Sequence, residues 1–127
     1  MKVQMQGQAL RIRISEVELA RLRDGETVEN LTRLPGDLSR HQVRMIEGGE
    51  PTLAPAPGGW AFGLPRGELD PYVARLPCRD GLAMRLPVDG GGELEVEFEV
   101  DVRDSIRSRG TAKRGTQSPP APDRNSG

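Results

Sequence analysis

Hydrophobic and polar residues alternate in several short runs along the chain. In "ALRIRIS" (9–15), Leu10, Ile12 and Ile14 point one way and Arg11 and Arg13 the other. That is the period of a half-buried β-strand. Val3 and Met5 predict a short strand just before it, with Gly7 at the turn, so the first two strands form a hairpin. Further strands are predicted in "ETVENLTRL" (26–34), "HQVRMIEGG" (41–49, Val43 and Met45 sharing a face), "WAFGLP" (60–65) and "GLAMRLPV" (81–88, ended by Pro87). "EPTLAPAPGG" (50–59) holds three prolines and reads as a loop or an irregular edge rather than a central strand. "DGGG" (89–92) is a hairpin turn. The most regular run follows it: from Glu93 to Asp101 every second residue is a carboxylate, and Leu94, Val96, Phe98, Val100 and Val102 form the apolar stripe between them.

Two stretches break the period of two. Ser15 and Glu18 have the spacing of a capping box, in which each side chain bonds the other's backbone N–H. The helix they start, "EVELARLR", lines its buried side with Val17, Ala20 and Leu22, with Leu19 beside them, and Gly25 is a left-handed stop. At about two turns it needs a sheet beneath it. "GELDPYVARL" (67–76) is a second short helix, in which Pro71 is tolerable only within the first turn.

The order of parts repeats. A strand, Glu plus an aliphatic (Glu16–Val17, Glu68–Leu69), Ala-Arg-Leu (20–22, 74–76), Asp-Gly (24–25, 80–81) and a second strand occur twice. The expected fold is therefore α+β: a compact, mostly antiparallel sheet or small barrel built from a duplicated strand–helix–strand unit (about 9–34 and 61–88), with two short helices on one face or at the ends. Residues 1–104 make one domain. Residues 105–127, rich in Ser, Gly, Pro and Arg, lack the apolar surface to offset the entropy of ordering and are expected to be a disordered basic tail.

Composition narrows the chemistry. Only four residues are aromatic (Trp60, Phe62, Tyr72, Phe98), so the core rests on Val, Leu, Ile and Met. Residues 1–104 carry 18 acids against 13 Lys plus Arg (−5), and residues 105–127 one acid against five bases (+4). The acidic body argues against nucleic acid as a ligand, and the tail has no aromatic residue for base stacking. With one cysteine (Cys78) and one histidine (His41) there is neither an intrachain disulfide nor a zinc site of the usual sulfur and nitrogen type within one chain. No spacing supports pairing these two as nucleophile and base, and each is assigned a structural or surface role, His41 at the start of a strand. No phosphate-binding glycine loop is present. The start is too polar for a signal peptide and no apolar run reaches membrane-spanning length, so a cytoplasmic, membrane-free protein is expected.

The carboxylate row invites two readings. Same-face neighbours on a strand lie about 6.5–7 Å apart, from a rise of roughly 3.3 Å per residue, so two of them could reach one Mg²⁺ or Ca²⁺ and support a metal-dependent activity at strand 93–101. Alternatively the acids are the wet face of a half-buried strand whose neighbours carry Arg11, Arg13, Arg44 or Arg85 at equally alternating positions. The second reading is preferred. It makes Arg11, Arg13, Glu95, Glu97 and Glu99 a candidate interaction face, and assigns no catalytic, cofactor or metal residue.

The N-terminal run, with Lys2, Val3, Gly7, Leu10 to Ser15 and Glu16–Val17, resembles a group of small bacterial proteins that open on Met-Lys-aliphatic, a glycine, an "[IL]-R-[IL]-R-[IL]-S" strand and a Glu-Val helix. That resemblance brings no activity with it. The serial strand, short helix and Asp/Gly turn are similar to those of swapped-hairpin and double-psi barrels, some of which are AbrB-like nucleic-acid-binding regulators. Here the turn reads Asp-Gly where theirs reads Gly-Asp, and the exposed strands are not net basic. The expectation is a non-enzymatic module without a cofactor that binds another protein. A metal-dependent activity and an AbrB-like regulator are the alternatives.

Overall fold

The computed structural model describes residues 1–102; the predicted tail, 105–127, lies outside them. The order of elements is β1 (Lys2–Gln6), β2 (Ala9–Ser15), α1 (Glu16–Arg23), β3 (Val28–Leu34), β4 (Asp37–Ile46), β5 (Thr52–Ala56), β6 (Gly59–Pro65), α2 (Arg66–Ala74), β7 (Leu82–Pro87) and β8 (Glu93–Asp101). Each half thus runs strand, strand, helix, strand, strand. The strands form two four-stranded sheets: sheet I in the order β1-β2-β8-β7 and sheet II in the order β3-β4-β6-β5. The outer pairings in each sheet are antiparallel, and the central ones, β2 with β8 and β4 with β6, are parallel. The fold is sheet-rich α+β with two short helices, as the alternation predicts. The sheets are separate rather than one closed barrel, because among the described residues β1, β7, β3 and β5 each have a hydrogen-bonded neighbour on one side only.

Each sheet takes one hairpin from each half of the chain. The β1–β2 register (Lys2 opposite Arg13) recurs fifty positions later in β5–β6 (Thr52 opposite Gly63). The buried helix residues obey the same offset, Leu19 and Leu22 in α1 against Leu69 and Tyr72 in α2. Ala-Arg-Leu, the tripeptide that drew attention to the repeat, is therefore out of register by four residues: in α1 it lies inside the helix, whereas Ala74 ends α2. Burial, not the tripeptide, sets the equivalence. For the same reason α1 turns Leu19 and Leu22 inward and leaves Val17 71% exposed, contrary to the face expected from Val17 and Ala20.

Ser15 and Glu18 do form the capping box, and Gly25 takes the left-handed conformation (φ 93°) after the Asp24 cap. The α-ammonium of Met1 adds a 2.7 Å bond to Glu18. Partial burial opposes the charge on Glu18, but this ammonium and the Ser15 donors outweigh it and hold the carboxyl below its ordinary range. Helix α2 has Pro65 at its N-cap without a side-chain bond, and Pro71 falls in its second turn, later than the first-turn position expected. That proline removes an N–H that would otherwise bond back along the helix.

One core joins the two sheets. Sheet I contributes Leu10, Ile12, Ile14, Met84, Leu86, Val96, Phe98 and Val100; sheet II contributes Val28, Val43, Phe62 and Leu64. Helix α1 touches β2 and β8 on one side and β3 and β4 on the other, and α2 bridges β6 and β7. Each buried aliphatic or aromatic side chain of this kind contributes about 1.5–3 kcal/mol. β7 ends its pairing with β8 at Leu82, opposite Phe98. Beyond that point the Tyr72 hydroxyl of α2 accepts the Val100 N–H at 3.1 Å, and its ring meets Phe98 edge-on at 6.2 Å. Burial, the main cause, pushes the Tyr72 phenol up from its ordinary value.

Candidate functional site: the charged outer face of sheet I

Alternation sends one side of each sheet I strand into the core and the other to solvent. The outward residues of β8 are Glu93, Glu95, Glu97, Glu99 and Asp101, and β8 lies between the two arginine-bearing strands β2 and β7. In the parallel pair, Arg11 stands opposite Glu97 and Arg13 opposite Glu99. Arg11 Nη2 lies 3.0 Å from Glu97 Oε1, and Arg13 Nε donates to Glu99 Oε1 at 3.1 Å. On the other side Arg85 faces Glu95 and reaches it at 3.5 Å, with Glu93 at 3.9 Å. All five residues of the predicted interaction face, Arg11, Arg13, Glu95, Glu97 and Glu99, therefore share one surface. Arg85 completes the pairing, and Arg44 belongs to the other sheet.

The pairs are not equally wet. The Glu95 side chain is 65% exposed, Glu97 37% and Glu99 17%, so the ladder runs from solvent towards the edge of the core. Exposed pairs of this kind contribute little each, about 0.2–1 kcal/mol. Their chemical effect is to hold acid and base in fixed alternation. A divalent cation would have to displace a guanidinium from each carboxylate to bind the row. Among the described residues, no three His, Cys, Asp or Glu side chains converge as a metal site.

The face is hollowed. A cleft of about 860 Å³ crosses it, walled by Arg11, Arg85, Glu95 and Glu97 and lowered at Ala9 and Ala83, whose short side chains leave the strand backbones as a floor. Two smaller hollows extend it, one of about 410 Å³ by Arg85 and Glu93 and one of about 140 Å³ by Lys2, Arg13 and Glu99. Gly81, just before β7, borders the same surface: a Cβ there would come within 2.9 Å of Glu97 Cγ.

A second polar group was not foreseen from the sequence. His41 lies within β4 rather than at its start, and its ring packs on Trp60 of β6 with centroids 4.8 Å apart. Asn30 and Ser39 approach its two ring nitrogens at 3.5 and 3.4 Å. Trp60 Nε1 is buried and has no hydrogen-bond partner among the described residues. The signal was available: the alternation that puts Val43 and Met45 on one face puts His41 and Ser39 on it too. Cys78 is half-buried in the connection between α2 and β7. No helix among the described residues is long and apolar enough to cross a membrane.

Comparison of the chain with family models, with curated proteins and with solved structures gives no match.

Proposed function

We propose that this chain is a non-enzymatic binding module that engages another protein through the outer face of sheet I. The observation that carries this reading is the large cleft lined by fixed acid–base pairs. A charge-balanced, hollowed surface suits an extended segment whose own side chains alternate in sign, since each bound charge meets an opposite one and like charges are set apart. The backbone floor at Ala9 and Ala83 leaves room for such a segment between the walls. The same balance speaks against a polyanion, which needs a net basic surface to release counterions, and the arginine opposite each of Glu95, Glu97 and Glu99 speaks against the metal-dependent alternative.

The test separates recognition from stability. A displayed library of random peptides is selected on the full chain and then on the Arg11→Glu/Glu97→Arg exchange, which keeps an internal ion pair but inverts its direction. Peptides of mixed, alternating charge that lose at least tenfold in affinity for the exchanged protein are the expected outcome. Selected peptides that bind both proteins equally, or no selection above background, would overturn the proposal.

A further inference from the structure

We infer that the free edge of β3 is the contact of a two-fold homodimer. Among the described residues, β3 pairs with β4 on one side and with no strand on the other. From Leu31 to Leu34 every residue is exposed, including two leucines at 46% each. An open edge presents unpaired backbone N–H and C=O groups, and proteins blunt such edges with proline, short length or charged side chains. The edge strand β5 carries Pro55 between Pro51 and Pro57, β7 ends on Pro87, and β1 has only five residues starting at Lys2. β3 has seven residues, "VENLTRL", without proline or glycine, and its two charges, Glu29 and Arg33, are opposite in sign and so do not repel a second copy set antiparallel to it.

Its sequence is complementary to itself. In an antiparallel pairing of two copies centred on Leu31, the outward face sets Leu31 against the partner's Leu31 and Glu29 against the partner's Arg33, twice by symmetry. The inward face sets Asn30 against the partner's Thr32 and Val28 against the partner's Leu34. Every cross-strand pair is thus apolar with apolar, polar with polar or acid with base, the combinations that stabilise a ladder. Arg33 has no ion-pair partner among the described residues, while Glu29 is held by Gln42 at 2.9 Å and lies 3.4 Å from Arg40 within its own sheet. A contact in which the same patch meets itself closes at two copies, and sheet II would continue across it as eight strands. One strand edge is a small interface, so the dimer is a reversible one that forms with rising concentration.

Sedimentation equilibrium of the full chain, from micromolar to millimolar, tests this. The wild type is expected to pass reversibly from monomer to dimer. Glu29→Arg alone and Arg33→Glu alone each set like charges opposite one another at two places and weaken the dimer by about tenfold or more. An equimolar mixture of these two variants restores association, because each altered charge then meets its opposite, and the E29R/R33E double variant dimerises by itself. A wild type that stays monomeric throughout, single variants that dimerise as the wild type does, or a mixture that fails to recover would each overturn the inference. Far-ultraviolet circular dichroism of every variant keeps a folding defect from passing as a loss of contact, and the double variant carries the test if a single one does not fold.

Discussion

Arg11 and Arg13 in sheet I stand where Ala61 and Gly63 stand in sheet II, and Glu97 and Glu99 stand where Gln42 and Arg44 stand. The inward face differs as much, in the opposite sense. Leu10, Val96, Met84, Leu94 and Leu86 of sheet I correspond to Trp60, His41, Asn30, Ser39 and Thr32 of sheet II. One backbone plan thus carries a dry inner face under a charged outer one in sheet I, and in sheet II a partly polar inner face under an outer one that is smooth on β5 and β6 but charged on β3 and β4, where Glu29, Arg33, Arg40 and Arg44 lie. The smoothness has a steric cause on β6: a Cβ on Gly59 would collide with the Arg40 carbonyl, and one on Gly63 with the Thr52 hydroxyl. Strand pairing therefore fixes neither sheet's surface. In sheet I apolar burial holds the strands and leaves the outer face to charged residues. In sheet II the polar inner residues limit how much apolar surface that sheet can bury.

The largest expected effects lie in the cores of the two sheets. Phe98→Ala removes a fully buried ring from the centre of sheet I and should cost about 3–5 kcal/mol in urea unfolding. Its counterpart Val43→Ala, with fewer atoms to lose, should cost clearly less; equal losses would mean that the two sheets share the core evenly. Tyr72→Phe leaves the Val100 N–H without its acceptor and should cost about 1–3 kcal/mol. The equivalent helix position in the other half is Leu22, which offers β4 no such bond, so Leu22→Tyr should not produce a matching gain.

On the outer faces the expected effects are smaller. Arg13→Glu sets like charges opposite each other at Glu99 and should cost about 0.2–1 kcal/mol, recovered by adding Glu99→Arg. Arg44→Glu on sheet II, opposite Gly63, should stay within about 0.5 kcal/mol of wild type. Chemical denaturation of these three variants and the wild type at low salt compares the two faces directly. The smallest effect concerns Glu18. The unfolded chain takes up a proton there in the ordinary carboxylate range, while the folded chain holds its charge to lower pH. Between the two values the unfolded state binds more protons, so stability present above that window falls as pH drops through it. Glu18→Gln should flatten this acid limb of the pH–stability curve; an unchanged limb would place the acid sensitivity elsewhere.

The sequence revealed faces more readily than neighbours. Alternation at period two tells which side of a strand is wet, so an arginine-bearing neighbour for the acidic row was readable from the spacing of Arg11, Arg13, Arg44 and Arg85, of which Arg44 proves to lie in the other sheet. It does not tell which strand lies alongside. That β2 would run parallel to β8, across 86 positions from Arg11 to Glu97, has no local signal. On α1, Leu22 and Leu19 are buried as expected while Val17 and Ala20 are exposed, because two turns allow several apolar faces and only contact with both sheets selects among them. His41 was assigned a structural or surface role; alternation puts Ser39 on its face, but that Trp60 and Asn30, from other strands, pack beside it has no local signal.

The exchange of hairpins between the sheets also orders events during synthesis. All four strands of sheet II lie within residues 28–65, so it can assemble while the second half is still being made. Sheet I waits for β8, which must enter between β2 and β7, and until then β2 offers an open edge beside its exposed apolar stripe. Contacts between segments so distant in sequence form slowly. On the ribosome, the interval before β8 emerges is when the nascent chain is most exposed to mispairing, and Arg11 and Arg13, charged and alternating along that waiting edge, are placed to discourage it.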